Sequence, residues 1–468
     1  MKNNEKLLDM IGEIDEQLIP EPAKKKPSKA KWFAVGGGVC AAALVGAIAL
    51  HGIGRPEIPV AAGEATAEVT SAIHESAEPP EQTASVSTTT TTAPPDEQPV
   101  ITEETLPVLS DEEYAKILEN HRIYPEYELP QQTDDGLVHI SAKFEMGAMG
   151  FGGICIWVFD ISELDTANPW SADLQLEQLP VFRNLSYTEH TGGAPVYLSE
   201  DTMMTMAENV AASLGQTVNN ISSETIGDGM GNPPEEYADK VYYVCADCDE
   251  VTIDVYGNGN VKVVYKESVQ LPEGYSFSYD NTSDEQGEKT IAYIAQRLRG
   301  LLQYDKPVSY SNNDRDIYQQ QHRSYYVYDS SDDIVQDILN YNLKFADIAP
   351  RGDGERWLIW MHDALACSEY LGDYPVITEE EARAILLEGG GIPGVSGIEE
   401  SDIAKVELIY RMGDEYIQPY YRYFIDTTDS SLLDAERMGD MKEYSLFHVP
   451  AVSAEYLSDF TLWDGIIN

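Results

Sequence analysis

The longest apolar stretch of the chain runs from Phe33 to Ile53 and comprises 21 residues without Asp, Glu, Lys or Arg. At 1.5 Å per residue, a helix of this length is about 31 Å long, which matches the hydrocarbon core of a bilayer. The pattern therefore predicts one transmembrane helix over residues 33–53. Three small residues within it recur at every fourth position and form a face on which two such helices can pack closely, namely Gly38, Ala42 and Gly46.

Flanking charge sets the predicted orientation of this helix. Only Arg55 follows it closely, whereas five lysines precede it, at positions 24, 25, 26, 29 and 31. Positive charge stays on the cytoplasmic side, so we expect a cell-membrane protein with residues 1–32 in the cytoplasm and its C-terminal bulk outside the cell. A cleaved signal peptide is the alternative, although the segment before the apolar run is long for one.

The cytoplasmic head carries a second apolar pattern, a stripe at helical spacing within residues 5–19. Its members lie three or four positions apart and so share one face of a helix: Leu7, Ile11, Ile14 and Leu18. Pro20 ends this helix because proline has no amide hydrogen to donate. A single helix this short is marginal in water, so we expect it to bind a cytoplasmic protein partner in a groove. The alternative is a frayed tail that only carries the lysines.

Polar composition dominates residues 54–109, which are rich in Thr, Pro and Glu and include the threonine run from 88 to 92. Such a segment buries too little apolar surface to fold, so we expect a disordered linker.

Net charge narrows the range of partners. The chain carries −51 at pH 7, with 81 Asp and Glu residues against 30 Lys and Arg. Nucleic acid is excluded as a natural partner, because phosphate binding needs clustered basic side chains. Basic peptides, metal cations and cationic wall groups are compatible with this charge.

Beyond residue 109 the pattern changes to short alternating stretches typical of strands, with a few helical segments between them. Strands are predicted at residues 137–144, 154–160, 240–244, 251–256, 261–265, 324–328, 343–348, 357–361, 406–411, 417–426 and 444–452. Helices are predicted at residues 199–214, 288–302 and 332–340, and after a capping box formed by Thr378 and Glu381. The expected fold class is an α+β extracytoplasmic domain with helices on one face of antiparallel sheets, in two lobes, residues 110–305 and 306–468.

Cysteine spacing yields one candidate linkage. Cys245 and Cys248 form a C-x-x-C motif, and a local disulfide between them is the preferred interpretation outside the cytoplasm. Redox activity and zinc binding are the alternatives. Strands are predicted on both sides of the motif, so no helix N-terminus is expected to stabilise a thiolate. Cys155 and Cys367 complete a set of four cysteines with three complete pairings.

Catalytic and metal-binding patterns do not stand out in the sequence. Its eight histidines are scattered, without an HExxH motif or a pair at helical ligand spacing. We therefore expect no catalytic residue, no metal and no cofactor, and we expect a protein that is not an enzyme.

Five segments carry a resemblance to a known group. The head sequence from Leu7 to Asp15, followed by lysines and one apolar span, is similar to uncharacterised single-pass membrane proteins of Gram-positive bacteria with an anti-sigma-factor-like head and a large ectodomain. The C-terminal segments that resemble the same group are Tyr374–Thr378, Val406–Arg411, Pro419–Tyr423 and Val449–Val452. The resemblance implies a transmembrane signalling regulator whose extracytoplasmic domain senses an unknown ligand. A tethered surface-binding module without cytoplasmic signalling is the alternative, and an ectoenzyme is a third.

The head helix is testable with residues 1–31 as bait in a pull-down. We expect a cytoplasmic protein to be captured, and Ile11→Asp to abolish capture because a carboxylate on the apolar face is costly to bury. Asp9→Asn, on the polar face, is the matched control and should leave capture intact. Recovery of the same proteins by both variants would contradict partner binding through this stripe.

Overall fold

One antiparallel sheet of twelve strands is the framework of this computed structural model. The described residues are 108–125, 136–142, 155–187, 197–229, 235–276, 283–350, 357–392, 396–412, 414–431, 433 and 438–459. Their strands are β1 Ile140–Ser141, β2 Cys155–Val158, β3 Gln178–Asn184, β4 Val218–Thr225, β5 Val241–Cys248, β6 Val251–Tyr256, β7 Val261–Tyr265, β8 Pro307–Arg315, β9 Gln321–Asp329, β10 Lys344–Pro350, β11 Trp357–Asp363, β12 Ser368–Pro375, β13 Ile403–Tyr410, β14 Tyr416–Ile417, β15 Pro419–Asp426, β16 Lys442–Pro450 and β17 Leu457–Asp459. Their helices are α1 Asp111–Asn120, α2 Glu200–Ser213, α3 Ile226–Gly229, α4 Glu235–Ala238, α5 Asp284–Arg297, α6 Arg299–Leu302, α7 Ile334–Leu343 and α8 Glu379–Leu387.

Strand order in the large sheet is β13-β15-β16-β2-β8-β9-β10-β11-β7-β6-β5-β4. Strands β12, β3 and β14 form a separate three-stranded sheet, and β1 pairs with β17. The junction between β2 and β8 is narrow, because a single residue pair, Trp157 with Arg315, joins them. Arg315 also donates to the Glu163 carboxylate at 2.7 Å, which reinforces this junction.

One of the two terminal strands of the large sheet is β4, which pairs with β5 on one side. Its register is interrupted between Val218 and Asn220 and again between Glu224 and Thr225. Irregularities of this kind bend a strand and break the regular ladder of hydrogen bonds.

Alternation along the central strands creates a fully apolar face. Val251, Ile253 and Val255 on β6 are buried, whereas the residues between them are half-buried. The same face of the neighbouring strands is apolar and is covered by α2 and α5, which contribute Met203, Val210, Ile291 and Ile294, among others. Each fully buried side chain of this size contributes about 1.5–3 kcal/mol, so this contact is the main reason the helices stay on the sheet.

A second core lies at the other end of the large sheet. There α7 and α8 pack with β13, β15 and β16 and with β3 of the small sheet. Tyr341 of α7 contacts the rings of Tyr310 and Tyr328, which lie on the face of the sheet opposite α5. Helices α2 and α5 therefore cover one face of the large sheet, and α7 covers the opposite face.

The predicted α+β fold of two lobes with helices on one face is wrong. The described chain is mostly one large antiparallel sheet with few helices, and helices lie on both faces. Strand β11 pairs with β7, and β16 pairs with β2, so chain segments assigned to different lobes share a sheet. Alternation predicts that a segment is a strand but says nothing about its partner, which is why this error arose.

Several local predictions are confirmed. The hairpin between β6 and β7 turns through Gly259 at a φ of 83°, a conformation that glycine adopts without strain. Ser199 caps α2 by accepting a hydrogen bond from the Thr202 amide. Thr378 and Glu381 form the predicted capping box at the start of α8. Each of these features is specified by residues a few positions apart, so it could be predicted from the sequence without knowledge of the fold.

Residues 1–107 lie outside the described part. The head stripe (Leu7, Ile11, Ile14 and Leu18), the predicted span over 33–53 with Gly38, Ala42 and Gly46, and nearly all of the linker belong to that segment. Among the residues that are described, no helix is both long enough and apolar enough to cross a bilayer, so the structure lends the predicted transmembrane helix no support.

Gly287 permits the close contact between α5 and β9. A Cβ atom added at this position would lie 2.7 Å from the hydroxyl oxygen of Tyr325 and closer still to its ring. Tyr325 is fully buried, so its ring has little room to move.

Gly287→Ala is therefore expected to lower the free energy of unfolding by about 1–3 kcal/mol through overpacking. Urea denaturation measures this difference. Gln296→Ala, on the exposed side of the same helix, should stay within about 0.5 kcal/mol. Alanine normally stabilises a helix by about 1 kcal/mol relative to glycine, so a gain in stability for Gly287→Ala would contradict the close contact.

Candidate functional site

Seven rings form a continuous series across the face of the large sheet opposite α2 and α5. We call it the aromatic row, and its members in spatial order are Tyr243, Tyr256, Trp360, His362, Phe345, Tyr326 and Tyr310. Successive ring centroids are 5.8, 6.0, 5.8, 4.7, 5.9 and 5.3 Å apart. Aromatic pairs favour separations of about 4.5–7 Å, so the row is a packed assembly of rings on a rigid support.

Strand register explains how the row forms. Successive side chains of a strand alternate between faces, and directly paired residues share a face. Trp360 on β11 is opposite Asp347 on β10 and opposite Lys262 on β7. Phe345 on β10 is likewise opposite His362 on β11. The row is therefore fixed by backbone pairing, which leaves its rings little freedom to reorganise.

The two ends of the row differ in exposure. Tyr243, Tyr256 and Trp360 are half-buried, so part of each ring surface is accessible. At the other end, Phe345 and Tyr326 are buried in a cluster that includes Tyr341 of α7. The row thus leads from an accessible aromatic surface on β5, β6 and β11 into the protein interior under α7.

Asp347 is an acidic residue that lies beside the row on the same face of the sheet. It lies between Tyr326 on β9 and Trp360 on β11 in the strand register. Burial raises the pKa of its carboxyl group to about 7, and no hydrogen bond or cation from a described residue offsets that effect. Near neutral pH this group is therefore close to half ionised.

Two further polar groups in the row lack a partner. The indole Nε1 of Trp360 and the Nδ1 of His362 are buried and make no hydrogen bond within the described part of the chain. His362 is only 3% exposed, and burial lowers its pKa to about 3, so its imidazole is neutral at physiological pH. A buried polar group without a partner costs about 1–3 kcal/mol. Two such groups next to the uncompensated, half-buried carboxylate of Asp347 call for an explanation beyond folding.

Polar side chains near the accessible end are, in contrast, mutually satisfied. The Tyr243 hydroxyl donates to the Glu224 carboxylate at 2.7 Å. Lys262 donates to Asp254 at 3.4 Å, in a pair that is mostly shielded from solvent. These contacts hold the edge of the row in place, whereas the unpaired groups lie at Asp347, Trp360 and His362.

The predicted disulfide between Cys245 and Cys248 is not formed. Both cysteines lie on β5 with free thiols, and their spacing of three residues directs them to opposite faces of the strand. Cys248 is buried in the apolar core, whereas Cys245 lies beside Asp254 on the face of the aromatic row. Burial, followed by the charge of Asp254, raises the pKa of the Cys245 thiol to about 12, which makes it a poor nucleophile.

A separate buried cluster of charges lies on β13 and β15. Glu407 accepts hydrogen bonds from Arg422 and Lys405, and its pKa is lowered by these cations despite the opposing effect of burial. The opposite charges of the cluster neutralise one another, so we interpret it as a structural feature of the sheet. Groups of His, Cys, Asp and Glu arranged to hold a metal ion are absent from the described residues.

Sequence reasoning missed the aromatic row. The sequence predicts that residues 343–348 and 357–361 pair as strands, and the structure confirms this pair as β10 and β11. The pairing of β11 with β7 was not predicted, and the accessible end of the row depends on it. One signal was available: Asp347 stands alone in the apolar run from Phe345 to Ala349. A single carboxylate in a buried strand is costly, which marks it as a candidate for a special role.

Asp347 makes a pH-dependent contribution to stability whose sign can be worked out. Its folded pKa lies above the ordinary value of 3.8, so the folded protein binds the proton more tightly than the unfolded chain. The free energy of unfolding should therefore fall as pH rises from about 4 to about 7, by an amount on the order of 3 kcal/mol.

Asp347→Asn should remove this contribution and be the more stable protein at about pH 8, with little difference at about pH 4. Urea denaturation at both pH values measures the difference. Asp173→Asn, at an exposed position, should follow the unmodified protein. A constant offset between Asp347→Asn and the unmodified protein at both pH values would contradict a raised pKa.

Comparison of the chain with known protein families, with curated proteins and with solved structures yields no match, so the resemblance of the head and C-terminal segments stays a prediction.

Proposed function

We propose that this chain is a binding protein and that the aromatic row is its ligand-binding surface. The observation that carries the proposal is the coincidence of partly accessible rings with the uncompensated carboxylate of Asp347 on a rigid sheet. Binding sites are typically lined by aromatic side chains with a few polar groups that fix the orientation of the ligand. Strand pairing holds the row in advance, which reduces the entropy lost on binding.

Two ionisable groups on this face of the sheet, His362 and Cys245, are unsuited to catalysis. A general base works best with a pKa near the operating pH, whereas burial lowers the pKa of His362 to about 3. A nucleophilic cysteine needs a lowered pKa, whereas that of Cys245 is raised to about 12. Both shifts run against the requirements of acid–base or nucleophilic chemistry.

Two functional settings are compatible with such a surface. In the first, ligand capture is the sensing step of an anti-sigma-factor-like signalling regulator, and residues 5–19 bind its cytoplasmic partner. In the second, the chain is a tethered surface-binding module without cytoplasmic signalling. The settings share the aromatic row and differ at the head, so the pull-down with residues 1–31 distinguishes them. An extracytoplasmic location of the sheet is part of both proposals.

A thermal-shift screen of the purified protein tests the row as a binding surface. The panel contains amines, neutral sugars, nucleosides, organic acids and short basic peptides. A ligand present at ten times its dissociation constant stabilises the folded state by about 1.4 kcal/mol, which produces a measurable shift. We expect at least one class to raise the melting temperature of the unmodified protein.

Tyr256→Leu should reduce that shift, because it removes an accessible ring of the row. Tyr318→Leu is the matched control, since Tyr318 is 75% exposed and lies on the turn between β8 and β9. Shifts that persist in Tyr256→Leu, or a panel in which no class produces a shift, would overturn the proposal.

A further inference from the structure

We propose that the aromatic row binds an organic cation that carries a primary ammonium group, such as a lysine side chain of a peptide. The inference rests on the proposed function and specifies its ligand class. The ammonium group would lie beside Asp347, and the chain attached to it would run over the accessible faces of Trp360 and Tyr256.

The first argument is the missing counter-ion of Asp347. Taking a carboxylate out of water is costly unless a cation or hydrogen-bond donors replace the solvent. The cation next in the strand register, Lys262, is already engaged with Asp254 at 3.4 Å. A cationic ligand supplies what the described residues do not.

The second argument is the hydrogen-bonding chemistry of an ammonium group. It has three N–H donors and no acceptor, so it can donate to the Asp347 carboxylate and place its positive charge there. An anionic ligand would add a second negative charge beside Asp347 and would leave the carboxylate without a donor.

The third argument is the ring surface itself. Trp360 and Tyr256 stack at 6.0 Å with an interplanar angle of 16°, and both are half-buried. Cations are attracted to the faces of aromatic rings, most strongly to that of tryptophan.

Net charge acts in the same direction. With −51 over the whole chain, the protein attracts cations and repels anions before contact is made. The negative charge of the protein therefore favours both the association of a cationic ligand and the bound complex.

The experiment uses the full chain labelled with ¹⁵N at tryptophan, and the indole N–H signal of Trp360 is assigned through its loss in Trp360→Phe. The probe is Nα-acetyl-lysine N-methylamide. Its Nε-acetylated form is the matched neutral probe, and methyl β-glucoside represents neutral polyols. We expect a saturable shift of the Trp360 signal with the ammonium probe and at least about tenfold weaker binding of the acetylated form.

Asp347→Asn keeps the shape of the side chain and removes its charge, so it should weaken the ammonium probe by about tenfold or more at pH 8. Asp173→Asn should leave the affinity unchanged. Should Asp347→Asn fail to fold, the comparison of the two lysine probes on the unmodified protein still decides the ligand class.

Equal affinity for the acetylated and unacetylated probes, or unchanged affinity of a folded Asp347→Asn, would overturn the cation assignment. Binding of the glucoside alone, with loss in Tyr256→Leu, would overturn the cation but retain the row as the binding surface. Failure of all three probes together with a screen that gives no hit would overturn both proposals.

Discussion

Two-residue alternation along the central strands is the constraint on which the rest of the structure depends. On β6, one set of side chains is wholly apolar and buried under α2, and the other set contains Asp254 and Tyr256. Because paired strands share this alternation, the apolar residues of β5, β6, β7 and β11 merge into one core. The same pairing assembles the rings on the opposite face. Core and aromatic row are two results of one backbone register, and a one-residue slip would exchange them.

The two faces of the large sheet differ in how well their buried groups are stabilised. The apolar face is fully compensated by helix packing, whereas the opposite face retains unpaired polar atoms at Trp360 and His362 and an uncompensated carboxylate at Asp347. Stability is a small difference between large terms, so a few kcal/mol of such costs is a substantial fraction of it. Strained or unsatisfied groups that cluster at one place are typical of functional sites, where binding supplies the missing contacts.

Local features of this fold, including the hairpins β6–β7 and β10–β11, could be predicted from the sequence, whereas its long-range strand pairing could not. The capping box of Thr378 and Glu381, the cap at Ser199 and the turn at Gly259 are each specified within a few residues, and each is confirmed. The contact between β7 and β11 joins segments about a hundred residues apart, and the sequence of neither segment indicates that the other is its partner. The same limit explains the cysteine error, because a spacing of three means proximity on a helix and separation on a strand.

Strand β4 at the end of the sheet has a consequence for self-association. A terminal strand offers its outer amide and carbonyl groups as a template on which another chain can extend the sheet. In β4 the two register interruptions lie near its ends, so the regular stretch between them spans only residues 220–224. So short a template gives an incoming strand few consecutive hydrogen bonds. The irregular pairing of β4 therefore limits the addition of further strands, and so fibril-like growth, at this edge.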